Sequence, residues 1–113
     1  MQPHITLITL GVRGLERSID FYQNGLGLPR KAGSEDIAFF EMAGTMLSLY
    51  PREKLAEDIT VAAEGSGFQG FTLAHNVASP EEVDKTLAEA VAAGAELVKP
   101  GQLPGTNLYW AFR

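Results

Sequence analysis

Few side chains in this sequence can hold an ion or move a proton, and they are spread thinly. His4 and His75 fall in different halves of the chain, and neither has an acidic pair beside it at metal-ligand spacing. His4, at the start of an edge-like apolar run, reads as a surface or subunit-contact residue. His75, within Leu73-Ala74-His75-Asn76-Val77, either touches a ligand or caps the end of a strand. Glu41 would be a candidate general base if its carboxylate were desolvated beside Met46, and a plain hairpin-tip charge otherwise. Tyr50, Tyr109 and Trp110 are amphipathic aromatics, a type that lines ligand pockets but also fills cores and dimer seams. The chain contains no cysteine, so it has no thiol nucleophile, thiolate metal site or disulfide. No G-x-S-x-G elbow, Walker-type glycine loop or H-E-x-x-H pair occurs.

The elements that must position these residues can be read from periodicity. His4 to Val12 is rich in β-branched residues and reads as a half-buried strand. Leu15, Ile19, Tyr22 and Leu26 recur at helical spacing, and Gly25, Gly27 and Pro29 stop the run, which predicts a helix over Leu15 to Asn24. Ile37 to Met42 and Thr45 to Tyr50 form two apolar runs around Ala43-Gly44, a hairpin whose turn is imperfect because alanine is poor at its first central position. A two-residue turn puts Phe39 opposite Ser48, Glu41 opposite Met46 and Ile37 opposite Tyr50 on one surface. Phe40, Met42, Leu47 and Leu49 then point to the other, more apolar surface, the one suited to a covering helix.

The stretch from Arg52 to Gln69 reads as a linker containing Gly65-Ser66-Gly67, with a short surface helix over Leu55 to Ala63 as one option. Phe71 to Val77 is a further strand. Ser79-Pro80-Glu81-Glu82 is a helix start, with serine as cap, proline in the first turn and Glu82 completing a capping box. Val83, Leu87, Ala90 and Val91 make its buried stripe, and Gly94 ends it. Glu96 to Lys99 and Leu108 to Phe112 complete the pattern as short strands. The order is a repeated βαβββ unit: one module over about residues 1–51, a linker over about 52–69, and a second module over about 70–113.

Composition limits the function classes. A chain of 113 residues, 45% hydrophobic and 20% charged, makes a single ordinary globular domain or two half-units sharing one core. The net charge is −5 and the nine basic residues are scattered, which argues against a nucleic-acid-binding face. No apolar run reaches the roughly 20 residues needed to cross a bilayer. The N-terminus lacks the marks of a secretory signal, so a cytoplasmic protein without membrane association is expected.

The opening Leu15-Glu16-Arg17-Ser18-Ile19-Asp20-Phe21-Tyr22, followed by Gly25-Leu26-Gly27-Leu28, resembles the D-L-x-R-S-x-x-F-Y-x-x-x-L-G signature of the vicinal oxygen chelate superfamily, which includes glyoxalases, bleomycin-resistance proteins and extradiol dioxygenases. Gly14 stands where that signature commonly has a helix-capping Asp. The second half is also similar: a strand, SPEEVD, an alanine-rich helix ending Ala93-Gly94-Ala95, then Lys99-Pro100. The resemblance spans about residues 4–110. It implies an α+β fold of two βαβββ modules that curve a mixed sheet around a cleft, with helices outside. The second module is incomplete, because its last strand and the turn before it are not found.

In metal-dependent relatives, strand residues of the cleft hold a divalent ion that polarises vicinal substrate oxygens. The resemblance carries those positions onto Leu7, Ser48 and either Phe71 or Thr72, none a usual ligand, while the fourth would lie in the strand not found. No cofactor is therefore expected, and a divalent metal only through a rearranged site. The cleft residues implied are Leu7, Thr9, Phe39, Glu41, Ser48, Tyr50, Thr72, His75 and Trp110. Three functions stay open: metal-free binding of a small organic molecule, a glyoxalase-type lyase, isomerase or dioxygenase, and a degenerate member acting only in assembly. A homodimer is expected, since an absent strand leaves an edge to be covered.

Overall fold

The computed structural model describes residues 1–97, leaving out Ala32, Phe68, Thr72, Ala74 and Asn76. The chain divides into two compact units, residues 1–65 and residues 66–113. The expected strand over Leu108 to Phe112 lies outside the described residues, as do Val98 and Lys99 of the one before it.

The first unit is a four-stranded mixed sheet in the order β1-β4-β3-β2. Strand β1 (Leu7–Val12) leads into helix α1 (Leu15–Asp20). Strands β2 (Arg30–Lys31), β3 (Ala38–Glu41) and β4 (Met46–Pro51) follow, and helix α2 (Arg52–Asp58) begins directly after β4. Strands β1 and β4 run parallel, whereas β2–β3 and β3–β4 are antiparallel.

The hairpin has the register that side-chain alternation predicts. Phe39 pairs with Ser48 and Glu41 with Met46, and the Met42 amide donates to the Thr45 carbonyl at 3.0 Å across the turn. Gly44 takes a positive φ of 89°, open to glycine, while Ala43 keeps an ordinary negative one. The expected strand over His4 to Val12 is shorter in fact, starting at Leu7. Its approach is still tied to β4: the Met46 amide donates to the Thr6 carbonyl, and the Thr45 hydroxyl to the Ile5 carbonyl.

One sheet face is the core of this unit. Phe40 and Leu49 are fully buried there with Ala38 and Leu47. The helix over them is not the regular one that the spacing predicts. It is α-helical to Asp20 and then widens into one π-helical turn over Phe21–Gly25, marked by the Leu26 amide donating to the Phe21 carbonyl at 2.8 Å. The widening lets two consecutive aromatics, Phe21 and Tyr22, both be buried. Their rings meet edge to face at 5.0 Å, and Tyr22 lies 6.2 Å from Phe40. Ser18 is buried beside them.

Helix α2 occupies Arg52–Asp58, three residues earlier than the sequence suggests at its start. It sits against β1 and β4 because Gly11 makes room for it: a Cβ at Gly11 would come 3.3 Å from the Arg52 Cα and from a Leu55 methyl. Beyond the helix, Thr60 adopts φ 61° and the chain turns back. Two arginines then hold the returning segment by its carbonyls. Arg52 donates from Nε to Ala63 O at 2.8 Å, and Arg13 donates to Gly65 O at 3.1 Å. On the surface, Lys54 and Asp36 form an ion pair at 2.8 Å, which holds the Lys54 ammonium above its usual range.

In the second unit, helix α3 (Pro80–Ala92) starts as the sequence predicts. The Ser79 hydroxyl accepts from the Glu82 amide at 3.2 Å, and the Glu82 carboxylate accepts from the Ala78 amide at 3.0 Å. Val83, Leu87 and Ala90 are buried, with Val77 packed on the first two. Val91, expected in that stripe, is exposed instead, and Gly94 ends the helix with φ 116°. Of the expected strand over Phe71 to Val77, residues 72, 74 and 76 lie outside the described residues.

Candidate functional site

Opposite the core, the sheet of the first unit presents a second face, whose composition follows from the register. Leu7, Thr9 and Gly11 of β1 pair with Met46, Ser48 and Tyr50 of β4, and Ser48 and Met46 pair onward with Phe39 and Glu41 of β3. Paired residues share a face, and so do alternate residues along a strand. Lys31, paired with Phe39, extends the row outward. The structure therefore brings six of the expected cleft residues onto one surface: Leu7, Thr9, Phe39, Glu41, Ser48 and Tyr50.

Helix α2 sits over the Gly11 end of this surface, and the rest of it is accessible. Leu7 is 38% exposed, and Phe39, Met46 and Tyr50 are half-buried. The exception is its centre, where Ser48 is fully buried and its hydroxyl lies 2.6 Å from that of the half-buried Thr9. This contact joins neighbouring strands that are far apart in the chain, and sequence reading did not find it. The available signal was a small hydroxyl residue at the middle of each apolar strand, Thr9 in LITLGV and Ser48 in MLSLYP.

Glu41, at the end of β3, is exposed, so its carboxylate stands in water and not desolvated beside Met46 as a candidate general base would need. His75 is exposed in the second unit. His4 is exposed ahead of β1, its amide donating to the Gln2 carbonyl. Thr72 and Trp110 lie outside the described residues.

The two first-module positions that the resemblance assigns to the divalent ion of metal-dependent relatives do not suit it. Leu7 has no ligating atom, and the Ser48 hydroxyl is sealed and already engaged by Thr9. Among the described residues, no three His, Cys, Asp or Glu side chains converge.

A parallel strand pair joined through a helix and extended by a hairpin, with one face under α1 and the other carrying α2 beside Gly11, defines the βαβββ module. The profile of the Glyoxalase/Bleomycin resistance protein/Dioxygenase superfamily matches residues 3–113. The chain belongs to this superfamily, the vicinal oxygen chelate group. It is similar to a glyoxalase-related enzyme from Fulvimarina pelagi, with 35% identity over 90% of this chain and 73% of that one, and a TM-score of 0.79. A glyoxalase/bleomycin resistance protein/dioxygenase from Nocardioides is 30% identical over 92% of this chain and 71% of its own, with a TM-score of 0.70. A protein of Agrobacterium tumefaciens solved by solution NMR shares 27% identity over 99% of both chains, with a TM-score of 0.69. No curated protein matches the sequence. Among the described residues, no helix is long and apolar enough to cross a membrane.

Proposed function

We propose that this protein binds a small organic molecule on the open face of β1, β4 and β3, and does so without a metal ion. The observation that carries the reading is what stands at the superfamily's ion-binding positions in the first module. One is an exposed leucine and the other a buried serine spent on a neighbouring threonine. Leu7, Phe39, Met46 and Tyr50 suit the body of such a ligand, since small-molecule sites are largely apolar with a few placed polar groups. A homodimer in a cytoplasmic setting completes the proposal, in keeping with the absence of cysteine.

The test is a titration of the chelator-treated protein with a panel of small aromatic compounds, following the NMR signals of Leu7, Phe39 and Met46. Saturable shifts at these residues, unchanged by added zinc, nickel or manganese, are expected. Binding that appears only with a stoichiometric divalent ion would overturn the reading. A second reading, an enzyme of the glyoxalase type, draws on the Fulvimarina pelagi relative, which is described as a glyoxalase-related enzyme. It requires turnover of a carbonyl or catechol substrate, and a rate that falls when Glu41 becomes glutamine would favour it.

A further inference from the structure

The Thr9–Ser48 pair carries a direction. Each hydroxyl has one proton, and a separation of 2.6 Å means that one of those protons lies between the two oxygens. Neither hydroxyl has a second partner among the described residues. If Thr9 were the donor, the Ser48 proton would be left over in a site with no exposure, and an orphaned buried donor carries a heavy penalty. If Ser48 is the donor, the leftover proton belongs to Thr9, which is only half-buried and can offer it outward. The second arrangement wins because it strands nothing.

With Ser48 as donor, Ser48 is a positioning residue and the Thr9 proton is the one left for a ligand on this face. Around that donor the floor is apolar. Leu7 flanks it on the accessible side along β1, helix α2 stands over Gly11 on the other, and Met46 and Tyr50 flank Ser48 on the neighbouring strand. Adjacent strands lie about 4.8 Å apart, and alternate residues along a strand about 7 Å. The floor from Leu7 across to Phe39 is therefore the size of one or two rings. Resting on the ligand-binding reading above, we infer that this face selects a ring-sized apolar molecule bearing a carbonyl oxygen, which accepts the hydrogen bond from Thr9.

Acetophenone and ethylbenzene share a shape and differ in that oxygen, so they separate the donor from the floor. Titrated into the isotope-labelled full chain, both should shift Leu7 and Phe39 signals, with acetophenone binding about threefold to tenfold more tightly, within the range of one neutral hydrogen bond. Thr9→Val should bring the two affinities within about twofold, whereas Thr9→Ser, which keeps the donor, should keep the preference. If the valine variant fails to fold, the ratio in the unaltered protein and in Thr9→Ser decides. Equal affinities in the unaltered protein, loss of the preference in Thr9→Ser, or its survival in Thr9→Val would each overturn the inference and leave the ligand-binding reading standing. If neither compound moves any signal of this face at its solubility limit, both fall.

Discussion

Replacing Thr9 by valine removes one oxygen and leaves the outline of the side chain almost unchanged, yet its cost should exceed that of removing the partner oxygen. Ser48 is fully buried and its hydroxyl has Thr9 as its partner, so Thr9→Val orphans a buried polar group, a loss of about 1–3 kcal/mol. Ser48→Ala strands nothing comparable, because the half-buried Thr9 can turn to water. Its cost should be about 0.5–1 kcal/mol, the net worth of one hydrogen bond. The double variant removes both polar groups and should be no worse than Ser48→Ala alone. The three values then give a coupling of about −1 to −3 kcal/mol, far from additive. Urea unfolding followed by far-ultraviolet circular dichroism measures all four proteins, and a constant slope confirms that midpoints can be compared. A Ser48→Ala loss as large as that of Thr9→Val, or a double variant costing the sum of the singles, would refute the assignment of Ser48 as the sealed member of the pair.

Other substitutions test the frame that holds this face. Leu49→Ala, at a fully buried position on the helix-covered side, should cost about 2–5 kcal/mol in the same urea experiment. Gly11→Val should displace α2, because the new side chain meets the Arg52 main chain at 3.3 Å. A loss of about 1–3 kcal/mol is expected, with amide shifts concentrated in residues 52–58. Ser79→Ala removes the cap of α3 and should lower stability by about 0.5–2 kcal/mol, with faster hydrogen exchange at the Glu82 amide.

Much of this architecture is legible in the sequence where local rules act alone. The register of β3 and β4 follows from strict alternation across a two-residue turn, and the start of α3 follows from Ser79, Pro80 and Glu82. Other features are illegible because local rules have little to work on. Strand β2 is two exposed residues, too short for any period to show. The π-helical turn at Phe21 arises from burying two adjacent aromatics, a demand set by the sheet beneath and invisible to helical spacing. Helix α2 begins at Arg52 because Gly11, distant in the chain, leaves space for it. The same non-local logic hides the Thr9–Ser48 contact, which exists only because β1 and β4 become parallel neighbours. The resemblance to the superfamily supplied the face on which these residues meet, but not the pairing within it.

The two arginine clamps on residues 63–65 have a consequence for how this segment can vary. Arg13 and Arg52 grip carbonyl oxygens, which every amino acid carries alike. Side chains at Ala63 and Glu64 can therefore drift through substitution with little effect on the clamp, while the two guanidinium groups cannot be exchanged so freely. Length is under stricter control than identity. One inserted or deleted residue between Thr60 and Ala63 would slide both carbonyls off their donors together, so homologues that keep both arginines should keep this spacing even where their residues here have nothing in common.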